Sequence, residues 1–519
     1  MSLNSLPNEL LAEVLGHVSF RDICRIARIC RRFQAVIEES TEMQYILELG
    51  RAGMIDINTQ ACLGARERLK ALIRQRSAWE KGEWIELVTI PQPTQLRMIN
   101  CYDFVGGLYA SSWWSGSTNG HDLLHIARLP SLSAMTAPQQ PLYIGRVDAR
   151  RAAFGIDPSQ NLIAFSERSF SETQDMTTTI YLNSISDGFV HPAAANPTLT
   201  YCFPTSYGDQ VPVYLHDDML AVRCTYPPLD RLVIWCWKTG KIVVDTDLTL
   251  GSKFAFVTNR CFFLTMQGNP GSIVLFSFSD SECLSELSDG LIAQLDFPQL
   301  QDGYTASFDV PEVPQACGPT GYGNWKADPE ARVFLFVATI WDREGRPSVM
   351  RYFYFPGLRA WDPIVPWEDW GPQGARLLKQ VSASWQVDHL FRPIYGERVV
   401  LPATWTNGED GAEDQPPWDA TALCVIDFNV FQVRRSLAQR GYDIPDTGSH
   451  VVEVSEPTTM PPEDVFESAV TTSLPYRITR GTLPIEQVDT VMVEQDCLAV
   501  LHMTVKEGRA HKVLRVFAV

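Results

Sequence analysis

The residue types that most often carry chemistry occur in this chain without the spacing that chemistry needs. His121 and His125 have the i, i+4 separation of two zinc ligands on a helix. The residues around them predict a strand instead, in which such positions lie roughly 13 Å apart. Residues 317–324 (CGPTGYGN) are glycine-rich but lack the Lys-Ser/Thr pair of a phosphate-binding loop. We therefore predict no metal and no phosphate at either place.

Nucleophile and carboxylate patterns also argue against an enzyme. The chain contains no Gly-x-Ser-x-Gly sequence, which would place a nucleophilic serine on a strand-to-helix turn. Asp217 and Asp218 are adjacent carboxylates, but they fall in a predicted turn, where aspartate satisfies backbone donors. We expect no catalytic residues, no metal ligands and no cofactor, and predict that the chain is not an enzyme.

The clearest pattern lies at the N-terminus, in residues 5–38. Apolar residues recur at positions 10, 11, 14, 15 and 18, on one broad face of a predicted helix. Pro7 fits the first turn of that helix. Ser19 stands three residues before Asp22, a capping-box spacing that predicts a second helix from about Phe20. Three helices of about ten residues cannot bury this many apolar groups among themselves. Part of this apolar surface must therefore meet something else.

This stretch resembles the F-box. The family pattern runs Leu-Pro, an acidic residue with paired aliphatics, a second aliphatic pair, an acidic-aliphatic step, and Val/Ile-Cys-Arg/Lys-x-aromatic. The matching positions here are Leu6, Pro7, Glu9, Leu10, Leu11, Val14, Leu15, Asp22, Ile23, Ile29, Cys30, Arg31 and Phe33. Two positions depart mildly, since Phe33 stands where Trp is frequent and Ile29 where Val is. The resemblance covers roughly the first forty residues.

The resemblance implies docking onto a Skp-type adaptor protein and, through it, recruitment to a cullin–RING ubiquitin ligase. The residues that it assigns to adaptor binding are Leu6, Pro7, Leu10, Leu11, Val14, Leu15, Ile23, Ile29, Cys30 and Phe33. The opposing interpretation is an ordinary helical N-terminus packed on the following domain. In that case these apolar side chains would be covered by the chain itself.

Composition limits the compartment and the partners. The 519 residues are 45% hydrophobic and 20% charged, which is typical of a soluble globular protein. Neither a membrane helix nor a secretory leader is predicted, and the 12 cysteines form no CxxC pair. We therefore expect the chain in the cytoplasm, the nucleus or both.

Charge is distributed unevenly along the chain. Residues 1–83 hold 12 basic and 11 acidic side chains. The other 31 basic and 50 acidic side chains leave −19 on the remainder, which disfavours nucleic acid.

Helical patterns continue as far as residue 84. Residues 41–50 predict one helix, and residues 60–84 predict a long basic one. Its basic residues are either an anion-binding stripe or, as we favour, the solvated face of an amphipathic linker helix: Arg66, Arg68, Lys70, Arg74 and Arg76. The segment is also similar to fungal F-box proteins, in which an all-β domain follows.

From Ile85 onward, short runs rich in β-branched and aromatic residues alternate with turn residues. So many strands over more than 430 residues exceed one sandwich or small barrel, and a propeller accommodates them by radial repetition. A faint repeat supports this, for example at 157–188, 216–244 and 494–519. The repeat resembles a degenerate WD-type propeller, best matched at 232–244, where Trp235 is present but Cys236 replaces the usual aspartate.

The sequence thus predicts a mainly β chain with an α-helical N-terminus. We expect a three-helix F-box at 1–40, a helical linker at 41–83 and a β-propeller of about seven blades at 84–519, closed by pairing of strand 84–90 with the C-terminal blade. The propeller would present an unknown protein substrate to the ligase. Alternatives are an interaction scaffold outside any ligase and, less favoured, a propeller enzyme. Two acidic, proline-rich insertions, 406–421 and 455–467, are predicted to be disordered rather than to bind a basic substrate.

Overall fold

Helices form the N-terminal part of the chain and strands form most of the rest. The computed structural model describes residues 6–57, 64–92, 98–114, 122–130, 143–147, 153–170, 175–203, 211–226, 229–310, 325–345, 347–356, 364–379, 392–402, 422–440, 451–462, 465–483, 485, 488, 490–506 and 509–519.

The N-terminal helices begin where capping residues place them. The Ser19 side chain accepts the Asp22 backbone N–H at 3.2 Å, and the Ser40 side chain accepts that of Met43 at 3.3 Å. The predicted start of a second helix at about Phe20 and the predicted helix at 41–50 are therefore confirmed. The helices in this region are α1 (Asn8–Leu15), α2 (Phe20–Ile26), α3 (Arg31–Glu39), α4 (Thr41–Arg51) and α5 (Ala65–Lys81), with a short strand β1 (Met54–Asp56) between the last two. The long basic helix is thus α5.

Six sheets follow one another along the interior of the chain. The first three are β3 (Met98–Val105), β4 (Leu108–Trp114), β5 (Asp122–Arg128) and β6 (Tyr143–Val147); β7 (Ala153–Asp157), β8 (Leu162–Phe170), β9 (Met176–Ser184) and β10 (Thr198–Phe203); and β11 (Val213–His216), β12 (Met219–Tyr226), β13 (Leu229–Cys236) and β14 (Lys241–Thr249). Each is antiparallel throughout, with sequential strands as neighbours. This is the meander of a propeller blade.

The next three sheets carry insertions. The fourth is β15 (Phe254–Thr258), β16 (Cys261–Met266), β17 (Ser272–Ser277) and β18 (Leu291–Asp296), extended by β23 (Ile364–Val365). The fifth is β19 (Thr305–Asp309), β21 (Val333–Trp341), β22 (Pro347–Pro356) and β24 (Arg376–Lys379). The sixth is β25 (Ile394–Tyr395), β26 (Arg398–Pro402), β27 (Ala422–Asp427), β31 (Tyr476–Thr482) and β28 (Val451–Val454). Between strands lie α6 (Leu287–Gly290), α7 (Trp367–Gly374) and α8 (Val430–Arg440), with β1 paired to β20 (Trp325–Ala327) and β29 (Thr458–Met460) to β30 (Val470–Thr472).

A closing sheet joins the two ends of the β region. It orders β2 (Ile85–Pro91), β34 (Arg509–Ala518), β33 (Cys497–Lys506) and β32 (Thr490–Val493). Ile85 lies opposite Ala518 and Pro91 opposite Val513, so the predicted pairing of strand 84–90 with the last blade is observed. Because β2 covers β34, the C-terminal strand is not an open edge.

Buried clusters link the sheets in cyclic order. One cluster joins the first, second and closing sheets, and three more join the second to the third, the third to the fourth, and the fourth to the fifth. A further cluster joins the fifth and sixth sheets to the closing sheet. Packing therefore runs from each sheet to the next and returns to the first. The β region is a β-propeller, as predicted.

Two polar contacts join the first sheet to its surroundings, one from Arg392 before the sixth sheet and one from Glu494 after β32 of the closing sheet. The Arg392 Nε lies 3.2 Å from the Asp103 carboxylate, and both side chains are buried. The Glu494 carboxylate accepts the Gly106 backbone N–H at 2.7 Å. Burial raises the pKa of Glu494 to about 8, although the hydrogen bond from Gly106 acts in the opposite direction.

Glu494 gives the chain a pH-dependent stability. Its carboxyl stays protonated in the folded chain at pH values where the unfolded chain, with the ordinary pKa of 4.5, has lost that proton. Stability from this group is complete below pH 4.5 and is lost as pH rises towards 8, at about 1.4 kcal/mol per pH unit. We expect Glu494→Gln to raise the melting temperature more at pH 8.5 than at pH 6, on the order of several degrees. Equal shifts at both pH values would contradict this assignment.

The acidic insertion at 455–467 departs from its prediction. It was expected to be disordered, yet it contains β29, and Met460, Val465 and Phe466 are buried among the fourth and fifth sheets. These apolar residues supply the contacts that an acidic composition alone does not suggest, so that prediction is wrong for this segment. Residues 406–421, residues 317–324 and His121 lie outside the described residues.

Candidate functional site

The first four helices have a hydrophobic core of their own. Each helix packs buried apolar side chains into it: Leu11, Leu15, Ile23, Phe33, Val36, Ile37, Met43 and Leu47. We call this body, residues 6–51, the helical unit. Among the described residues, none from the β-propeller belongs to this core. The N-terminal apolar residues therefore pack on one another rather than on the described strands of the β-rich body.

A second apolar set faces outward from the same helices. Leu10 and Val14, one turn apart on α1, are 47% and 44% exposed, and Ile29, in the turn before α3, is 68% exposed. Pro7 is also exposed, while Leu6 and Cys30 are half-buried. Large apolar side chains grouped on one small unit mark interaction sites more often than isolated ones do. We call Pro7, Leu10, Val14 and Ile29 the exposed face.

The segment before α1 is held in place by Arg32 of α3. One guanidinium nitrogen, Nη2, donates to the Leu6 carbonyl and to the Asn8 side chain, the latter at 3.0 Å. Pro7 lies between these two anchored residues and precedes the first residue of α1. The contact fixes Leu6 and Pro7 relative to α3, so that a partner would meet a preformed surface.

The structure divides the ten predicted adaptor-binding residues into two groups. Leu11, Leu15, Ile23 and Phe33 pack inside the helical unit, so in this conformation they support the surface rather than form it. The other six, Leu6, Pro7, Leu10, Val14, Ile29 and Cys30, are exposed or half-buried. The sequence pattern contains both groups because adjacent apolar positions of one helix include an inward and an outward residue. Adaptor binding by the outward group stays a prediction.

The helical unit is joined to the propeller by a buried ion cluster. Glu48 of α4 is 7% exposed, and its carboxylate accepts from Arg51 at 2.8 Å, from Arg435 of α8 at 2.7 Å, and from Arg76 of α5. Burial raises the pKa of Glu48, but the hydrogen bonds from Arg435 and Arg76 outweigh it and hold the pKa below its usual range. One carboxylate thus ties three helices together.

Further contacts make this junction continuous. Phe20 of α2 meets Phe431 of α8 edge-to-face at 5.7 Å between ring centroids, and Asn429 donates to the Arg51 carbonyl at 2.9 Å. β1 pairs with β20, so the linker adds a strand to a strand of the β region. Gly50 allows α2 to approach α4, because a Cβ there would lie 2.2 Å from Phe20.

A small cavity of about 40 Å³ lies between the linker and the propeller. Gln75 and Trp79 of α5 line one side, and Glu397, Arg398 and Gln432 line the other. The Trp79 indole donates to the Gln495 carbonyl at 3.1 Å, and the Arg398 guanidinium lies 4.3 Å from the Trp79 ring. This volume suits ordered water rather than a substrate.

The remaining chemical candidates are structural. Asp217 occupies a turn with φ of +51°, and its carbonyl accepts the Trp237 indole N–H at 2.9 Å. Both oxygens of Asp218 are occupied by Arg260, at 2.7 and 3.0 Å. Within the described part of the chain, no three His, Cys, Asp or Glu side chains are grouped so that they could hold a metal ion. Among the same residues, no helix has the length and apolar character to cross a membrane.

The junction residues were not found from the sequence. Glu48, Arg76 and Arg435 are separated by up to several hundred residues, and each alone looks like an ordinary surface charge. Asn429 and Trp325 carry no motif either. The sequence did indicate that a helical linker directly precedes the first strand. This order implies that the linker starts at the propeller's surface and contacts it, but it does not identify the contacting residues.

A family model described as F-box-like matches residues 3–42. The match contains the whole exposed face and ends at the start of α4. It agrees with the resemblance found from the N-terminal residues. No curated protein matches the sequence.

Solved structures similar to this chain are propellers of very different sequence. The β-propeller domain of Myceliophteria thermophila Cps50 (Swd1) is 11% identical, with a TM-score of 0.37, over 84% of this chain and 99% of that one. The β-propeller domain of the Trilobed protease from Pyrococcus furiosus is 8% identical, with a TM-score of 0.36, over 81% and 95%. The WD40 domain of SCAP from fission yeast is 9% identical, with a TM-score of 0.32, over 84% and 98%. The fold assignment rests on the sheet order described above.

Proposed function

We propose that this chain is a substrate-recognition adaptor of a Skp–cullin–F-box type ubiquitin ligase. One observation carries the proposal: in a unit that matches the F-box-like model, the core is already complete while Leu10, Val14 and Ile29 stay exposed. Exposed apolar side chains that the chain does not need for its own core are suited to a partner protein. In this role the exposed face meets a Skp-type adaptor, and the propeller binds a protein substrate.

The junction supports this mechanism. Three separate contacts connect the N-terminal helices and the linker to the propeller: the ion cluster at Glu48, the Phe20–Phe431 contact and the β1–β20 pair. A stiff connection holds a bound substrate at a nearly constant distance from the ligase, which raises the effective concentration of its lysines near the ubiquitin donor. The chain itself catalyses nothing in this scheme.

We also propose the domain limits on the same basis. The F-box spans 1–40, the linker 41–83 and the propeller 84–519, in which the closing sheet joins the two ends of a series of six interior sheets. The cyclic order of the buried clusters supports one closed ring. In its proposed role the chain works in the cytoplasm, the nucleus or both.

Reconstitution tests the function directly. The purified chain is mixed with a Skp-type adaptor, a cullin–RING pair and the ubiquitin enzymes, and complex formation is followed by size-exclusion chromatography with light scattering. We expect one complex that contains the chain, the adaptor and the cullin in equal amounts. A chain that elutes alone at micromolar concentrations of all partners would overturn the proposal.

Two alternatives give different results in that experiment. A scaffold outside any ligase would bind the adaptor but leave the cullin behind. A propeller enzyme would show activity without either partner, and the described residues offer it no grouped metal ligands and no free carboxylate pair at Asp217–Asp218.

A further inference from the structure

The long helix α5 has two faces of opposite character. Leu72 and Trp79 are buried against α4 and the propeller, and Arg68 and Arg76 pair with Asp56 and Glu48 on the same side. The other side carries exposed residues at a helical spacing: Arg66, Lys70, Ile73, Arg74 and Lys81. We call these five residues the basic stripe. The structure thus separates the basic residues of this helix into structural ones and free ones.

The four cations of the basic stripe have no anionic partner among the described residues. None of Arg66, Lys70, Arg74 and Lys81 takes part in an ion pair there, although Arg68 and Arg76, on the inner side of the same helix, do. Three acidic residues adjoin the stripe: Glu67 lies over Gly64 at the start of the helix, Glu80 pairs with Arg76 and Arg477, and Glu83 follows the end of the helix. The stripe is therefore positive along about 22 Å from Arg66 to Lys81.

The charge of the rest of the chain makes this stripe distinctive. The chain carries a net charge of −18. An acidic ligand is repelled by the propeller region, which carries −19, and attracted at this helix face. Extended polyanions such as nucleic acids or an anionic membrane would reach beyond the stripe to the acidic propeller, whereas a short acidic peptide needs only the stripe.

The adaptor proposed above would leave the basic stripe free. Met43 and Leu47 of α4 face the core of the helical unit, whereas Tyr45 and Leu49 pack with Leu72 of α5. Positions two residues apart on a helix point in nearly opposite directions. A protein on the exposed face of α1 and a ligand on α5 therefore lie on opposite sides of α4.

We propose that the basic stripe docks an acidic segment of the protein substrate that the chain recruits. This inference rests on the proposed function for the identity of the ligand, but its chemistry is independent of the adaptor. Aspartate and glutamate side chains pair with Arg66, Lys70, Arg74 and Lys81, and Ile73, which is 41% exposed, offers an apolar contact between them. Specificity comes from the spacing of the cations along the helix.

The test uses the full-length chain and a fluorescent 15-residue glutamate-rich peptide. We expect binding that weakens steeply as NaCl rises from about 50 mM to about 300 mM. Charge reversal in Lys70→Glu with Arg74→Glu should weaken binding about tenfold or more. The matched control is Lys238→Glu with Arg434→Glu, which reverses two exposed cations elsewhere and should leave the affinity unchanged.

Each result decides the inference. Equal peptide affinity for the stripe variant and the unchanged chain would overturn it, as would equal loss in the control. Stripe-dependent binding of single-stranded RNA or of phosphatidylserine vesicles, with none of the peptide, would also overturn it. Adaptor binding is measured in parallel with the same variants; if it persists while peptide binding is absent, the stripe inference fails and the adaptor function stands.

Discussion

Exchanging Leu10 and Val14 for aspartate is expected to abolish capture of a Skp-type adaptor while leaving thermal unfolding of the chain unchanged. Both side chains are nearly half exposed and lie outside the core of the helical unit. A carboxylate in an apolar interface must lose its hydration without a partner, which we expect to cost about 2 kcal/mol or more at each position. Together we expect at least about a hundredfold loss of affinity. Isothermal titration with purified adaptor measures it.

A matched control separates docking from general surface change. Phe189 and Val190, 75% and 54% exposed, follow β9 in the second sheet. Phe189→Asp with Val190→Asp makes the same kind of exchange on the propeller and should leave adaptor affinity intact. Undiminished capture by the Leu10 and Val14 variant, or the same loss in the control, would remove the basis for the proposed docking surface.

Replacing Glu48 with glutamine is expected to loosen the helical unit from the propeller. The substitution keeps the shape but leaves Arg51, Arg76 and Arg435 close together without their anion. Because the side chains of these arginines remain 24–39% exposed, losing their charge-assisted hydrogen bonds to Glu48 costs about 1–3 kcal/mol. Hydrogen exchange should show faster exchange in α4 and α5, with the propeller strands unchanged.

The control for Glu48→Gln is Asp280→Asn, because Asp280 pairs with Arg260 at the surface with 61% of its side chain exposed. If Glu48→Gln and Asp280→Asn show the same hydrogen exchange in α4 and α5, the Glu48 cluster does not hold the junction.

Acid should act on the same cluster in the unchanged chain. The pKa of Glu48 is held below its ordinary value of 4.5. The contribution of Glu48 to stability is therefore present above pH 4.5 and is lost as pH falls through the lower folded pKa.

The N-terminal helices could be predicted because their information is local. Helical periodicity placed Leu10, Leu11, Val14 and Leu15 on one face, and Ser19 placed the start of α2. Periodicity could not separate the buried pair Leu11 and Leu15 from the exposed pair, because adjacent positions differ by only about 100°. That separation depends on where α3 and α4 pack.

The propeller was predictable in kind but not in detail. Strand periodicity and turn residues indicate many short strands, and Trp235, in the best-matching repeat, lies in β13, the third strand of its sheet. No local pattern indicates that β23, which follows β22 of the fifth sheet in the chain, joins the fourth sheet, or that β29 pairs with β30. Such pairings join residues far apart in the chain, and local patterns do not report them.

Because the core of the helical unit needs no later part of the chain, this unit can fold first during synthesis on the ribosome. That core uses only residues up to Leu47, whereas its anchors Arg435 and Phe431 and the strand β34 that closes the ring emerge hundreds of residues later. At about 5–20 residues per second, the delay is on the order of tens of seconds. During that interval a nascent chain can already expose Leu10 and Val14 to a partner, before it has any propeller to offer a substrate.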